Sequence, residues 1–297
     1  MGSNARQLDQ GRRSWRWVRK LATLGLSVAL TFLGLLFVTF LIGRVVPIDP
    51  VLAAVGETIT EKAGLINLSL DGSILLSAMA AFAIALETHN VLAGFVGGAL
   101  VGALMALVVA VFSIYLGQNQ VAVGFVLTLM GRDLAYFIGN PYSRIQGPQV
   151  KPLALPLLDR ISFLGDLFFN HNLPVYLSLL MIFVCWWYIY RTPHGLELRS
   201  VGEHPRASFA RGINPQKLQM FYAICGGLLV GLAGATFSLA TKPGWGRPQG
   251  AEGTGWIALA LVPAAAAWLL LGHVRPALRP AYEEAEADRK SGSAGMP

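Results

Sequence analysis

The chain has 297 residues, 54% of them hydrophobic and 13% charged, with a formal net charge of +7. Charge at about half of the roughly 25% usual for soluble proteins leaves too little polar surface for a water-soluble fold of this size. The basic residues fall in patches between apolar runs rather than along one amphipathic face, which sets nucleic acid aside and favours a lipid membrane.

Residues 1–20 form a basic N-terminal segment that includes Arg12, Arg13, Arg16, Arg19 and Lys20. The apolar run 21–43 that follows exceeds the roughly 7 to 15 residues of a signal-peptide core, so it is expected to be a retained first span. A hydrocarbon core of about 30 Å takes about 20 apolar residues as a helix. Segments 21–43, 91–116, 173–190 and 218–240 meet that length, while 73–88 and 256–271 are shorter. Polar groups interrupt 51–69 and 118–139.

Charge placement orients these spans. Residues 1–20 and the loop 191–217, with Arg191, Arg199, Arg206, Arg211 and Lys217, are expected on the cytoplasmic side. Span 21–43 then runs outward and 173–190 inward, so an even number of crossings lies between residues 44 and 172. Both interrupted segments are expected to cross, because irregular backbone is tolerated at membrane depth only when buried in protein. The expectation is an all-α, polytopic membrane domain over 21–271 with about eight transmembrane helices, one of them broken near 55–72. Segment 140–172 becomes an external loop with a short interfacial helix, and 272–297 a charged cytoplasmic tail of disordered composition.

Gly94, Gly98 and Gly102 recur every four residues, as do Gly227, Gly231 and Ala235, which gives two helices a smooth face for close packing within one subunit. Cys185 and Cys225 each lie in an apolar run and read as small buried hydrophobes, and the five histidines show no metal-ligand spacing. Glycine-rich phosphate loops and nucleophile elbows are missing from the sequence, so neither a cofactor nor bound ATP is expected on this chain, and enzymatic activity is not expected. Glu57 and Glu61 share a helix face at a spacing where like charges repel, and intramembrane carboxylates more often serve transport paths or paired structural roles than catalysis.

Two polar stretches carry the most information. In "VGETITEKAGLINLSLDG", residues 55–72, a span interrupted around Gly64 is expected, with Asn67 and the freed backbone groups sheltered by neighbouring helices. Glu57, Glu61 and Asp71 are expected to be paired or water-facing. In 192–217, "EHPRASFARG" predicts a short helix started near Pro205 and stopped at Gly212. The loop is longer than packed helices need, which suggests a docking element.

"GETITEKAGLINLSLDG" and "GLELRSVGEHPRASFARGIN", together with "NQVAVGFVLTLMG" and "GTGWIALALV" in the same order, resemble the permease subunits of ATP-binding-cassette importers, in the branch for nucleosides and simple sugars. The resemblance covers about residues 51–262. It implies a pore-forming subunit of a bacterial or archaeal plasma membrane. Its implied partners are a second permease copy or paralogue, cytoplasmic ATPase subunits that bind the ATP, and an external substrate-binding protein. Gly195, Leu196, Arg199, Gly202, Glu203, Pro205, Ala207, Gly212 and Ile213 match the segment that couples to the ATPase. Glu203 and Arg199 are expected to orient that segment through charge pairs. Glu57, Glu61, Gly64, Asn67, Asp71 and Gly72 match the broken helix at the translocation path.

The sequence departs from the family pattern in two places. Ser69 stands where the family usually has glycine, so altered packing is expected there. The apolar run also ends near Leu271, where the family usually continues with more spans, so a truncated or frameshifted, non-functional permease remains an alternative. The other alternative is an ion-coupled carrier or intramembrane enzyme using Glu57, Glu61 and Asp71.

Overall fold

The computed structural model describes residues 49–151 and 172–262. The expectations for 1–20, 21–43, the interfacial helix within 140–172 and the tail 272–297 therefore lie wholly or mainly outside the described residues. Those described form the helices α1 (Asp49–Lys62), α2 (Leu70–Thr88), α3 (Val91–Ala110), α4 (Gln120–Gly139), α5 (Leu173–Arg191), α6 (Pro193–Glu203), α7 (Pro205–Ala210) and α8 (Pro215–Thr236). A further helix, α9, covers 254–262. Single π-turns extend α3 through Val111–Tyr115 and α8 through Phe237–Thr241, and a 3-10 turn extends α4 through Asn140–Tyr142.

Five of these helices, counted with their extensions, are long and apolar enough to cross a membrane: Leu70–Thr88, Val91–Tyr115, Gln120–Tyr142, Leu173–Arg191 and Pro215–Thr241. The protein is thus an all-helical, polytopic membrane protein. Its helix starts are set locally. Asn90 caps α3 by accepting from the Leu92 and Ala93 amides, and Asn119 caps α4 by accepting from Val121 and Ala122. Asn214 caps α8 through the Lys217 amide, with Pro215 at the first helical position.

Helix α8 is the hub, packed against α1, α2 and α3. Its small-residue face meets that of α3, so both faces pack within the subunit, as the sequence predicts, and against each other. A Cβ at Gly102 would stand 2.4 Å from the Gly227 carbonyl oxygen, and one at Gly98 would stand 3.0 Å from the Ala235 methyl. The two glycine ladders are therefore one interface inside the subunit. The registry also fixes directions. Gly94, Gly98 and Gly102 lie against Leu239, Ala235 and Gly231, so α3 runs opposite to α8. Gly98 also lies against Ser77 and Gly94 against Ala81, which makes α2 antiparallel to α3 and parallel to α8. Gly56 lies against Gly226 while Gly64 lies against Gln219, so α1 runs opposite to α8.

These directions agree with the alternation expected from charge, but they revise the broken helix. The interruption is a chain reversal between two antiparallel helices, not a kink within one span. Gly64, at φ +86°, makes the turn in the left-handed region that favours glycine. The core lies between α1, α2 and α8, around Leu52, Leu70, Ile74, Phe82, Val230 and Leu239.

Candidate functional site

The reversal takes much of 63–69 out of regular helical hydrogen bonding, and side chains from α1, α4, α8 and the turn itself replace it. The Ile66 amide donates to Gln120 Oε1 at 2.9 Å, the Asn67 amide to Glu57 Oε1 at 2.9 Å, and the Ser69 amide to Asn67 Oδ1 at 3.1 Å. Gln219 Nε2 donates to the Ala63 carbonyl at 2.9 Å, and Thr128 Oγ1 to the Leu68 carbonyl at 2.8 Å. Irregular backbone at membrane depth requires such shelter. Glu57 and Asn67 are 1% and 2% exposed, and the second oxygen of Glu57, Oε2, has no hydrogen-bond partner among the described residues. Glu61, one turn further along α1, is exposed.

Ser69 is fully buried and caps neither amide of the α2 first turn with its side chain. Its hydroxyl donates to Asn67 Oδ1 at 2.6 Å and lies 3.1 Å from Ser73 Oγ, so the serine extends the polar cluster. Gly72 lets α4 approach, since a Cβ there would stand 2.5 Å from the Thr128 carbonyl oxygen.

Asp71 has a different partner from Glu57. Its Oδ1 accepts from the Gly253 amide at 2.8 Å and the Gly255 amide at 3.2 Å. It therefore caps the start of α9 from another helix, where the unpaired amides and the helix dipole favour a negative charge. Gly255 permits the contact, because a Cβ there would stand 2.3 Å from the Asp71 amide nitrogen. The loop before α9 is tied down as well. Gln249 is 3% exposed, accepts from the Gly246 amide and donates to the Gly244 carbonyl, while Lys242 Nζ donates to the Gln249 carbonyl.

The segment 192–217 forms two helices where the sequence predicts one. The predicted helix is α7, begun at Pro205 and ended before Gly212, which sits at φ +87°. The unforeseen one is α6, capped by Thr192 Oγ1 accepting from the Gly195 amide at 3.1 Å. Leu198 and Val201, three apart, are its fully buried positions. Gly195 and Gly202 are points of close approach rather than breaks. A Cβ at Gly195 would stand 2.2 Å from the Tyr188 carbonyl oxygen, and one at Gly202 would stand 2.2 Å from that of Lys62. The helix pair is thus seated on the end of α5 and on the α1–α2 reversal. Ser200 and Ser208 join α6 to α7 through hydroxyls 2.7 Å apart.

Among the described residues, neither Arg199 nor Glu203 forms an ion pair. Arg199 Nε donates to the Gly195 carbonyl at 3.4 Å, and its guanidinium lies 5.2 Å from the Tyr190 ring centroid. Glu203 is exposed. The i, i+4 geometry turns Arg199 back along its own helix, towards Gly195 and away from Glu203. Leu196 (60% exposed) and Phe209 (67% exposed) are uncovered apolar side chains on this element, with Pro205 and Ala207 also exposed. Ile213 follows Gly212, its amide donating to the Ser208 carbonyl at 3.1 Å. Beside α7 lies a cleft of about 550 Å³, lined among others by Leu65, Ser113, Gln120, Arg206, Phe209 and Gln219.

The structure therefore brings Glu57 to Asn67 and Gly64 to Gly202, and carries Asp71 to α9. Sequence reasoning missed Gln120, Thr128 and Gln219, each of which satisfies one backbone group of the reversal. Their signal in the sequence is a polar residue in an otherwise apolar helical run.

Comparison with known proteins places this geometry. The family model described as "Branched-chain amino acid transport system / permease component" matches residues 39–274. The chain is 36% identical over 215 residues to the "Putative glucose ABC transporter permease protein TsgC13" of Haloferax volcanii, covering 71% of this chain and 65% of that protein. It is 29% identical over 222 residues to the "Nucleoside ABC transporter permease protein NupC" of Lactococcus lactis subsp. cremoris, covering 71% and 69%. To the "Guanosine ABC transporter permease protein NupQ" of Bacillus subtilis it is 37% identical over 109 residues, covering 36% and 33%. No solved structure matches the chain. With the family model spanning all the described helices, the chain belongs to the permease-component family of branched-chain amino acid-type transport systems, a family of transporter components and not of enzymes.

Proposed function

We propose that the chain is the membrane-spanning permease subunit of an ATP-binding-cassette importer that moves a nucleoside or simple sugar by alternating access. In this reading the α6–α7 element couples to a cytoplasmic ATPase through Gly195, Leu196, Arg199, Gly202, Glu203, Pro205, Ala207, Gly212 and Ile213. A second permease copy or paralogue completes the pore, and an external binding protein delivers the substrate. The names of the relatives from an archaeon and two bacteria support the substrate class and a prokaryotic plasma membrane.

The observation that carries the proposal is the seating of Gly202 on Lys62 and Gly64. A motion applied to the exposed face of α6 and α7 reaches the α1–α2 reversal through backbone contact, with no flexible side chain between. Glu57, Glu61, Gly64, Asn67, Asp71 and Gly72 then belong to the moving end of the translocation path.

Glu203→Lys tests the coupling role. The side chain is exposed, so the variant inserts normally and its co-purification with the ATPase falls. Undiminished co-purification and uptake remove Glu203 from the role. Uptake by the purified chain alone, driven by an ion gradient without ATP, refutes the importer and favours the carrier.

A further inference from the structure

Arg132 and Asp133 sit near the middle of the 23-residue apolar helix Gln120–Tyr142, with side chains 45% and 73% exposed. Arg132 Nε lies 3.3 Å from Asp133 Oδ1, so the pair is local and open on its outer side. Charged groups at this depth face a protein interior or a water-filled cavity and not lipid. That face of α4 is therefore not lipid-facing.

The neighbours of Arg132 are aromatic and polar in turn. Phe125, Leu129, Arg132 and Tyr136 follow at spacings of four, three and four, which places them on one face. Phe125 and Leu129 are 46% and 53% exposed. The Phe125 ring is 5.4 Å from that of Trp256 on α9, and Trp256 is itself 38% exposed. At the other end the Tyr136 hydroxyl donates to the Glu252 carboxylate, and the Arg247 guanidinium lies 5.0 Å from the Tyr136 ring centroid. Glu252 is fixed by the Gln249 and Gly250 amides, which donate to it at 3.1 Å and 2.6 Å.

We propose that this stripe of α4, with Trp256 and Glu252, is the substrate-contacting wall of the translocation path, and that it takes a neutral, hydroxyl-bearing ring. The guanidinium groups of Arg132 and Arg247 are set against the carboxylates of Asp133 and Glu252. A wall of that kind offers donors and acceptors to hydroxyls without holding an ion. Phe125 and Trp256 offer faces on which the apolar side of a sugar or the plane of a base can lie. A hexose and a nucleoside share this chemistry. The inference rests on the importer reading, to which it adds a substrate surface outside the reversal and the coupling helices.

The test uses the full chain assembled with its ATPase, second permease and binding protein. Leu129→Cys places a thiol in the middle of the stripe, and the wild-type chain, with Cys185 and Cys225, sets the background. A membrane-impermeant thiol reagent is expected to modify Leu129→Cys and to leave Leu104→Cys, on the apolar outer face of α3, unmodified. Saturating glucose or saturating guanosine is expected to slow that modification at least fivefold, and which of the two protects identifies the ring. Phe125→Ala and Arg132→Gln are each expected to lower uptake about tenfold or more while basal ATP hydrolysis and subunit assembly stay unchanged. Should Leu129→Cys fail to insert, Phe125→Cys on the same face carries the same expectation. A wild-type complex that neither assembles nor imports overturns the importer reading and the wall together. In a complex that does import, an unmodified thiol marks a face covered by the second permease. That result, modification without protection, or unchanged uptake in both variants overturns the wall alone.

Discussion

Gly102→Ala tests the packing that organises the whole bundle. The added Cβ would stand 2.4 Å from the Gly227 carbonyl oxygen and 2.5 Å from both Cα and N of Gly231, all backbone atoms that no rotamer change can move aside. Restoring ordinary separation requires α3 and α8 to part by about 1 Å, and a gap of roughly 0.5–1 Å removes about a quarter to a half of the dispersion attraction between facing atoms. Such overpacking costs about 1–3 kcal/mol, and the better helix propensity of alanine returns about 0.5–1 kcal/mol. Gly97→Ala is the matched control on the same helix, with the same propensity gain. Its Cβ would meet Ile84 Cδ1 at 2.2 Å, the tip of a side chain that can rotate, and nothing else nearer than 3.4 Å. At about 2–4 °C per kcal/mol for a chain of this size, Gly102→Ala should unfold several degrees below Gly97→Ala in detergent, followed by tryptophan fluorescence. Equal midpoints, or a lower one for Gly97→Ala, would refute the α3–α8 interface as the tight junction of the fold.

Glu57→Ala strands the buried Asn67 amide, at a cost of about 1–3 kcal/mol, whereas Glu57→Gln keeps an acceptor at Oε1 and should retain most of the wild-type midpoint. Equal loss in both variants would show that the carboxylate charge, and not the hydrogen bond, holds the reversal. Asp71→Ala should speed hydrogen exchange at the Gly253 and Gly255 amides and cost about 0.5–2 kcal/mol, as for a lost helix cap, with Asp71→Asn near wild type. Unchanged exchange in Asp71→Ala would break the link between α2 and α9. Gly202→Ala places a Cβ 2.2 Å from the Lys62 carbonyl oxygen and should raise the ATP hydrolysed per substrate imported. An unchanged ratio would mean that α6 transmits nothing through this junction.

The parts of the structure legible in the sequence are those set by local chemistry. Glycines four apart mark the α3 and α8 faces because small residues are what close helix packing in a membrane requires. Gly64 marks the turn because it adopts φ +86°, and Pro205 and Gly212 bound α7 for similar reasons. What escaped reading depends on partners far along the chain. Gly195 and Gly202 look like punctuation in a polar loop, yet both lie within α6 and make room for carbonyl groups of α5 and α1. Nothing local distinguishes a glycine that breaks a helix from one that lets another backbone approach it. The same limit hides the roles of Gln120 and Gln219, since the backbone groups they satisfy lie 54 and 156 residues away. Arg199 and Glu203 are readable as charges on one helical stretch, but their surroundings are set by tertiary placement against Tyr190 and by exposure to water.

The reversal joins these observations into one mechanical element. The side chains that bond to the backbone of 63–69 belong to α1, α4, α8 or the turn itself, so the loop cannot yield to a push without breaking hydrogen bonds, of which those of the Asn67 and Ser69 amides are buried. A displacement delivered through Gly202 is therefore easier to pass on than to absorb. It would carry the end of α1 and the start of α2 together, and with the start of α2 goes Asp71, whose carboxylate holds the first amides of α9. The start of α9 is where Trp256 faces Phe125. In the proposed importer, the junction that would receive a cytoplasmic push and the wall proposed to touch substrate are separated by one hydrogen-bonded turn and one capped helix start, an arrangement suited to alternating access.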